Sequence, residues 1–309
     1  MHRFRIITAL CLLGLLCAAG PAGTPSPDTA PSASTRAASA PATKPGPIKV
    51  LFIGNSYTGF CQMTTMVELL SRAMDPARPI KASQVSPGGY TFQEHWEIAE
   101  RARKKGVTEN VTLKTIRKGG WDVIVLQSYL DVLRTPEAFQ KFGRLLAGEV
   151  RKVKARLVFY ETWPHRKSTV PAPDAIAKYN AQYFSLARAT GGTVSPVGIA
   201  FEMVKTRKPE MGRVIHYGKA GNDKHPSYVG AYLIASIHVA TIYGKSPVGL
   251  PATLYRSAGD RRRNRPLIKI PPDTAKFLQQ VAADAIAQAG KIAADLAKSQ
   301  TTKPSPTKP

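Results

Sequence analysis

Cysteine is almost absent from the part of the sequence that can fold into a domain. Cys11 and Cys17 lie near the amino terminus, and only Cys61 lies further along the chain. A single cysteine cannot form an intramolecular disulfide, and no CxxC or Cys–His spacing surrounds Cys61. The sequence therefore argues against a disulfide scaffold and predicts neither a metal site nor a cofactor. Cys61 is expected to be a small core side chain.

Long hydrophobic runs are also missing. The apolar run at residues 6–16 is about half of the ~20 residues that a membrane span needs. Arg3 and Arg5 precede it and small residues follow it, as in a secretory signal peptide. We predict a signal peptide over residues 1–23 and export to the periplasm, cell surface or medium, in preference to a membrane anchor or a lipoprotein modified at Cys17. No later segment is apolar for long enough to span a membrane.

Acidic residues are scarce: 20 Asp and Glu stand against 44 Lys and Arg, which gives a formal net charge of +24. Such an excess predicts attraction to polyanions. The basic runs at residues 101–105 and 261–263 lack interleaved aromatic residues, and no helix-turn-helix, RNP or zinc-finger pattern accompanies them. Acidic polysaccharide or another polyanion is therefore the expected partner, and nucleic acid is disfavoured.

Composition divides the chain into four parts. After the predicted signal peptide, residues 24–47 are rich in Ala, Pro, Ser and Thr and lack aromatic residues, which predicts a disordered linker. Residues 298–309 have a similar composition and are predicted to be a disordered tail. Residues 48–297 are long enough for one α/β domain.

Within residues 48–297, short apolar runs alternate with stretches of helical spacing. The predicted strands are residues 48–53, 80–85, 121–126, 155–160 and 193–197. The predicted helices are residues 64–74, 92–103, 137–154, 172–189, 227–243 and 272–297. This alternation predicts a parallel sheet covered by helices on both faces, with ligand sites beyond the carboxyl ends of the strands.

Two common kinds of glycine-rich site are missing. No GxGxxG or GxxxxGK[ST] loop is present, which argues against nucleotide binding, and no GxSxG elbow is present. The first predicted strand is followed instead by Gly54, Asn55 and Ser56. A serine there is either a helix N-cap or a nucleophile whose neighbouring N–H groups can hold an oxyanion. The position alone does not decide between the two.

Other polar groups follow the later strands. The second strand precedes a pair of glycines ending at Gly89, the third precedes Gln127, and the fourth precedes Trp163, a core or pocket-wall residue. His225 stands two residues after Asp223 and just before an apolar helix. Because a catalytic serine needs a base and the base needs a group that fixes its tautomer, His225 is the candidate base.

In this order, the segments resemble the blocks of the SGNH (GDSL-like) hydrolase superfamily. They read GNS at 54–56, GG at 88–89, LQ at 126–127 and HPSxxGxYLxA at 225–235, which is closest to the branch with a GNS first block and an HPSxxGxYL last block. The resemblance spans about residues 48–243. It implies a flavodoxin-like, three-layer α/β sandwich with a parallel sheet of about five strands and helices on both faces.

The resemblance also assigns roles to residues. It implies that Ser56 is the nucleophile and His225 the general base. The backbone N–H groups of Ser56 and Gly89, with the side-chain amide of Gln127, would form the oxyanion hole. A histidine at the position of His95 would line the pocket, where Trp163 is a further candidate.

The chain departs from the usual blocks at three positions. Asn55 replaces the usual aspartate, and Gln127 is longer than the usual asparagine. The usual aspartate three residues before the histidine is Asn222 here, and Asp223 is only two before. We favour Asp223 as the group that orients His225, with Asn222 or a backbone carbonyl as the alternative.

The expected function is that of an exported serine esterase that hydrolyses acyl, especially acetyl, esters on carbohydrate or small molecules through an acyl-enzyme. The alternative is a non-catalytic protein that binds polysaccharide or the cell surface on the same fold.

Overall fold

The computed structural model describes residues 46–128, 131–164, 172–218 and 224–301. The predicted signal peptide, nearly all of the predicted linker and residues 302–309 lie outside these ranges, as do Asn222 and Asp223.

Five parallel strands form the central sheet in the order β2-β1-β3-β4-β5. They are β1 Ile48–Ile53, β2 Ile80–Val85, β3 Val123–Leu126, β4 Arg156–Tyr160 and β5 Thr193–Ser195. Ile53 of β1 pairs with Val85 of β2 and with Leu126 of β3, so these strands end at the same edge. A short antiparallel pair, β6 Thr253–Leu254 and β7 Ile268–Lys269, lies apart from the sheet.

Helices cover both faces of the sheet. Phe159 of β4 contacts Phe92 on one face, whereas the next residue, Tyr160, contacts His238 on the other. Successive strand side chains point to opposite faces, so both faces are packed. The helices are α1 Ser56–Gly59, α2 Met63–Met74, α3 Phe92–Trp96, α4 Glu100–Arg103, α5 Val111–Arg117, α6 Asp131–Arg134, α7 Pro136–Lys152, α8 Ala172–Thr190, α9 Val197–Arg207, α10 Met211–Val214, α11 Tyr228–Tyr243, α12 Ala258–Arg262 and α13 Pro272–Thr301. The predicted flavodoxin-like three-layer fold is confirmed.

Helix α11 is the most deeply buried helix, which explains why its sequence is apolar on every side. Its histidine, His238, is fully buried, and its Nδ1 lies 2.9 Å from Ser195 Oγ. Burial lowers the pKa of His238 to about 3, so this histidine is a neutral core residue. None of the helices in the described ranges has the length and hydropathy that a bilayer span requires.

Two predicted helix boundaries are wrong. The helix predicted over 92–103 is broken, because Asn110 Nδ2 donates to the carbonyl oxygens of His95 and Trp96, and Glu97 is extended. At the other end of the domain, α13 continues to Thr301, past the predicted start of the tail at residue 298.

Candidate active site

The serine turn, residues 54–56, connects β1 to α1 at the carboxyl end of the sheet. A side chain at Gly54 would collide with Gln127 Oε1 and Thr58 Oγ1, so only glycine fits there. Asn55 is the N-cap of α1, and its Oδ1 accepts a hydrogen bond from the N–H of Tyr57 at 3.0 Å. Ser56 is therefore the first residue of the helix and not its cap. Its half-buried side chain is left available for other contacts.

The histidine loop, residues 224–227, brings its imidazole to this serine. His225 Nε2 lies 2.9 Å from Ser56 Oγ, although the two residues are 169 positions apart in the sequence. At this distance the hydroxyl can donate to an unprotonated Nε2, as general-base activation of a serine requires. The structure thus brings together the two residues that the sequence blocks singled out.

Aromatic rings hold His225 in place. The imidazole stacks on Phe60 with a centroid distance of 4.6 Å, and the ring of Tyr57 meets it edge-on at 5.7 Å. The N–H of Tyr217 donates to the carbonyl oxygen of His225 at 2.9 Å. Tyr57 and Phe60 lie within four residues after Ser56, so the segment that presents the serine also orients the histidine.

Asn222 and Asp223 lie outside the described residues. The choice between them as the group that orients His225 stays a prediction.

Asn55 ties the serine turn to the loop that contains the predicted oxyanion donor Gly89. Its Nδ2 donates to the carbonyl oxygen of Tyr90 at 2.8 Å, and Gly89 has a left-handed φ of 73°. The first N–H groups of a helix have no intrahelical acceptor, so the N–H of Ser56 is suited to an oxyanion. An aspartate at position 55 could not donate to Tyr90, so the departure from the usual block matches this contact.

Gln127 does not occupy the predicted oxyanion position. Its side chain is fully buried, and its Nε2 donates to the carbonyl oxygen of Ser128 at 2.6 Å. Its Oε1 accepts from the N–H of Asn55 at 2.9 Å and from Thr58 Oγ1 at 3.1 Å. Because glutamine is longer than asparagine, its amide reaches beneath the serine turn. Gln127 therefore supports the turn from below, through an amide that is fully buried.

His95 also lies beneath the serine turn and not in a pocket wall. It is fully buried, with Nε2 2.9 Å from the carbonyl oxygen of Gly54 and Nδ1 2.8 Å from Thr112 Oγ1. Burial lowers the pKa of His95 to about 4, so the ring is neutral near pH 7. Since a carbonyl oxygen can only accept, Nε2 carries the proton and Nδ1 accepts from Thr112.

Trp163 supports the histidine loop. Its ring is sandwiched between Tyr57 and Phe201, with centroid distances of 4.6 and 4.0 Å, and only 1% of the residue is exposed. Its Nε1 donates to the carbonyl oxygen of Lys224 at 3.1 Å, next to the histidine. Of the two predicted places, core and pocket wall, Trp163 occupies the core, where it supports the histidine loop.

Sequence reasoning did not find Phe60 or Thr112, because neither belongs to a motif and both act through contacts across the fold. It also gave no role to Glu161, which is fully buried after β4 and accepts from the N–H of Ile199 at the start of α9. Burial raises the pKa of Glu161 to about 8. Among the described residues, no cluster of three or more His, Cys, Asp or Glu side chains could hold a metal ion.

A five-stranded parallel sheet with a hydrogen-bonded serine and histidine beyond its strands defines the class: a flavodoxin-like α/β protein that carries a Ser–His pair. The sequence matches no family model and no curated protein. Similarity to solved structures is clear, however.

A protein from Slackia heliotrinireducens that is assigned to the SGNH hydrolases superposes with a TM-score of 0.50 at 20% sequence identity, covering 63% of this chain and 99% of that one. A catalytic mutant of an acetylxylan esterase from Geobacillus stearothermophilus gives 0.50 at 17% identity, covering 67% and 99%. The domain thus has the fold of the SGNH (GDSL-like) hydrolases, which is the fold that the sequence blocks implied. The branch within the superfamily stays a prediction.

Proposed function

We propose that this protein is an exported serine esterase that removes acyl groups, with acetyl as the leading candidate, from carbohydrate. The observation that carries the proposal is the 2.9 Å contact between Ser56 Oγ and His225 Nε2 at the carboxyl end of the sheet. The fold is one that ester hydrolases use, and one protein that shares it is an acetylxylan esterase. Export rests on the predicted signal peptide over residues 1–23.

In the first half of the reaction, His225 takes the proton of Ser56 as Oγ attacks the carbonyl carbon of the ester. The resulting tetrahedral oxyanion accepts hydrogen bonds from the N–H groups of Ser56 and Gly89. A single well-placed donor of this kind is worth about 3 kcal/mol in the transition state. The bond between the acyl carbon and the sugar oxygen then breaks as the protonated histidine gives its proton to that oxygen, which releases the sugar hydroxyl and leaves the acyl group on Ser56.

The second half reverses these roles with water as the nucleophile. His225 takes a proton from water, which attacks the acyl-enzyme, and the acid is released as Ser56 recovers its proton. The imidazole needs a fixed tautomer for both halves. Asp223 is our candidate for the group that fixes it, with Asn222 as the alternative.

The test compares the wild-type protein with Ser56→Ala on p-nitrophenyl acetate and on acetylated xylan. We expect the variant to lose nearly all turnover and to lose labelling by a fluorophosphonate probe. Ser83→Ala, an exposed serine on β2, is the matched control and should behave as wild type. Equal rates for wild type and Ser56→Ala would refute the proposal, and glycan binding without labelling would favour the non-catalytic alternative.

A further inference from the structure

An arginine-rich surface segment lies between β6 and β7. This arginine segment, residues 255–265, contains five arginines and a single acidic residue, Asp260, whose carboxylate accepts from Ser257 Oγ at 2.9 Å. The five arginines are all exposed: Arg256, Arg261, Arg262, Arg263 and Arg265. Such a concentration of guanidinium groups creates a locally positive surface suited to carboxylate, sulfate or phosphate groups.

The arginine segment is joined to the candidate active site through Gln62. Arg256 Nη2 donates to Gln62 Oε1 at 2.7 Å, and Gln62 Nε2 donates to the hydroxyl of Tyr228 at 3.3 Å. Gln62 ends the 3₁₀ turn that begins with Phe60, whose ring stacks on His225. Arg256 is therefore linked through Gln62 to the turn that follows the serine and to the helix that follows the histidine loop.

The backbone of this turn is unusual. Cys61 and Gln62 have left-handed φ values of 50° and 54°, which non-glycine residues rarely adopt. In this conformation the side chain of Phe60 contacts the imidazole of His225, and the side chain of Gln62, two residues later, contacts Arg256. Strain of this kind persists only where the surrounding contacts fix it, and it is frequent at functional sites.

Exposed aromatic residues flank the same surface. Tyr217 is 47% exposed and Tyr228 is 40% exposed. Tyr217 meets Phe60 edge-on at 5.0 Å, and Tyr228 begins the helix that follows the histidine loop. Tyrosine offers an apolar ring face and a polar hydroxyl together, which suits the mixed apolar and hydroxylated faces of a sugar ring.

We propose that the arginine segment, with Tyr217 and Tyr228, is a subsite that binds the carboxylate groups of an acidic polysaccharide whose acyl ester lies at Ser56. This inference rests on the proposed function. Each guanidinium group can pair with a uronate carboxylate, and the adjacent sugar rings lie on the two tyrosines. The subsite makes the enzyme selective for esters on anionic chains over esters on neutral ones.

Two other polyanions fit this surface less well. Nucleic acid would supply phosphates to the arginines, but its backbone carries no carboxylic ester for Ser56. An anionic membrane favours exposed aliphatic or tryptophan side chains beside the basic residues, whereas the aromatic residues exposed here are tyrosines. An acylated acidic glycan uses both the positive surface and the Ser–His pair, and its sugar rings also suit the two exposed tyrosines.

The experiment measures kcat/KM on acetylated polygalacturonate and on acetylated xylan, at low and high salt. The wild type should prefer the anionic substrate, and salt should weaken that preference by screening. Arg256→Gln combined with Arg261→Gln should reduce the ratio of the two kcat/KM values by about tenfold, mainly through a higher KM on polygalacturonate. Lys104→Gln with Lys105→Gln removes the same charge from another exposed surface and should leave the ratio unchanged.

Binding of deacetylated polygalacturonate, followed by calorimetry, separates the subsite from the catalysis. If the wild type hydrolyses no ester but the arginine variant still loses this binding, the proposed function fails and the subsite stands. An unchanged substrate ratio and unchanged binding in the arginine variant would overturn the subsite. So would a variant that loses binding to single-stranded DNA or to phosphatidylglycerol vesicles while its affinity for polygalacturonate is intact.

Discussion

The serine turn and the histidine loop meet at one hydrogen bond, but different forces hold them. Buried polar contacts fix the serine turn: Gln127 Oε1 accepts from the N–H of Asn55 and from Thr58 in the helix that follows, and His95 lies against the carbonyl oxygen of Gly54. Aromatic packing fixes the histidine loop, through Phe60, Tyr57 and Trp163. The serine turn follows directly on a strand, so short, directional hydrogen bonds can fix its position. The histidine loop lies far along the chain and is held by stacked aromatic rings, whose contacts persist when the loop moves slightly.

The largest expected effect comes from removing the pair at which the two segments meet. Ser56→Ala and His225→Gln should each lower kcat on p-nitrophenyl acetate by about 10⁴-fold or more, and the double variant should be no worse than either single one. The reason is that Ser56 needs His225 to take its proton, and His225 has no other nucleophile to activate. Losses that multiply in the double variant would mean that the two residues act independently.

The next largest effect tests the polar support of the serine turn. Gln127→Met leaves the buried N–H of Asn55 without its acceptor, which should cost about 1–3 kcal/mol of unfolding free energy. Displacement of Ser56 should lower kcat by roughly 10- to 100-fold. Chemical denaturation and steady-state kinetics measure the two effects.

Gln279→Met provides the matched control. Gln279 is also a buried glutamine, and it is hydrogen-bonded to Tyr232, Leu250 and Gly249, away from the serine turn. The Gln279→Met variant should lose a similar amount of unfolding free energy and keep the kcat of the wild type. Equal losses of kcat in the two variants would show that Gln127 has no specific positioning role.

A smaller effect is expected from the aromatic support of the histidine loop. Trp163→Phe keeps a ring between Tyr57 and Phe201 but removes the hydrogen bond to Lys224. One such bond contributes about 1 kcal/mol to stability, so the unfolding free energy should fall by about that much and kcat by roughly fivefold. Trp121→Phe removes a similar 2.9 Å bond to Thr115, and its kcat should match the wild type. An equal fall in both variants would contradict the role of Trp163.

The last expected effect is a pH dependence of stability beneath the serine turn. The folded protein lowers the pKa of His95 to about 4, so the unfolded chain binds a proton first as the pH falls below 6.5. The stability that neutral His95 provides is therefore complete above pH 6.5 and is lost as the pH falls towards 4. His238 acts in the same direction, and Glu161, with its pKa raised to about 8, acts in the opposite one.

The titrations of these three groups overlap in pH. The measurement therefore compares the wild type with His95→Gln by urea denaturation at pH 6.5 and pH 5. The variant should lose less unfolding free energy over this interval, by about 1.5 kcal/mol in total. Identical pH dependence in the two proteins would show that His95 does not titrate with the predicted shift.

The sheet and its main helices were predictable because their signals are local. The runs at 48–53 and 80–85 coincide with β1 and β2, and the order of blocks identified the superfamily fold. The short helices α6, α10 and α12 were not predicted, because four or five residues carry too little periodicity to be seen. The longer helices α5 and α9 were also missed, and α9 begins at Val197, which was predicted to end the fifth strand.

The sequence by itself determined the parallel α/β architecture and the choice of Ser56 and His225, since hydrophobic period and motif order are properties of the chain. Only the tertiary structure decided what surrounds that pair. It placed Gln127 and His95 below the serine turn and Trp163 behind the histidine loop, and it joined Arg256 to Gln62 across 194 positions. Side-chain direction and length act over a few ångströms between distant segments, and a linear pattern does not contain those distances.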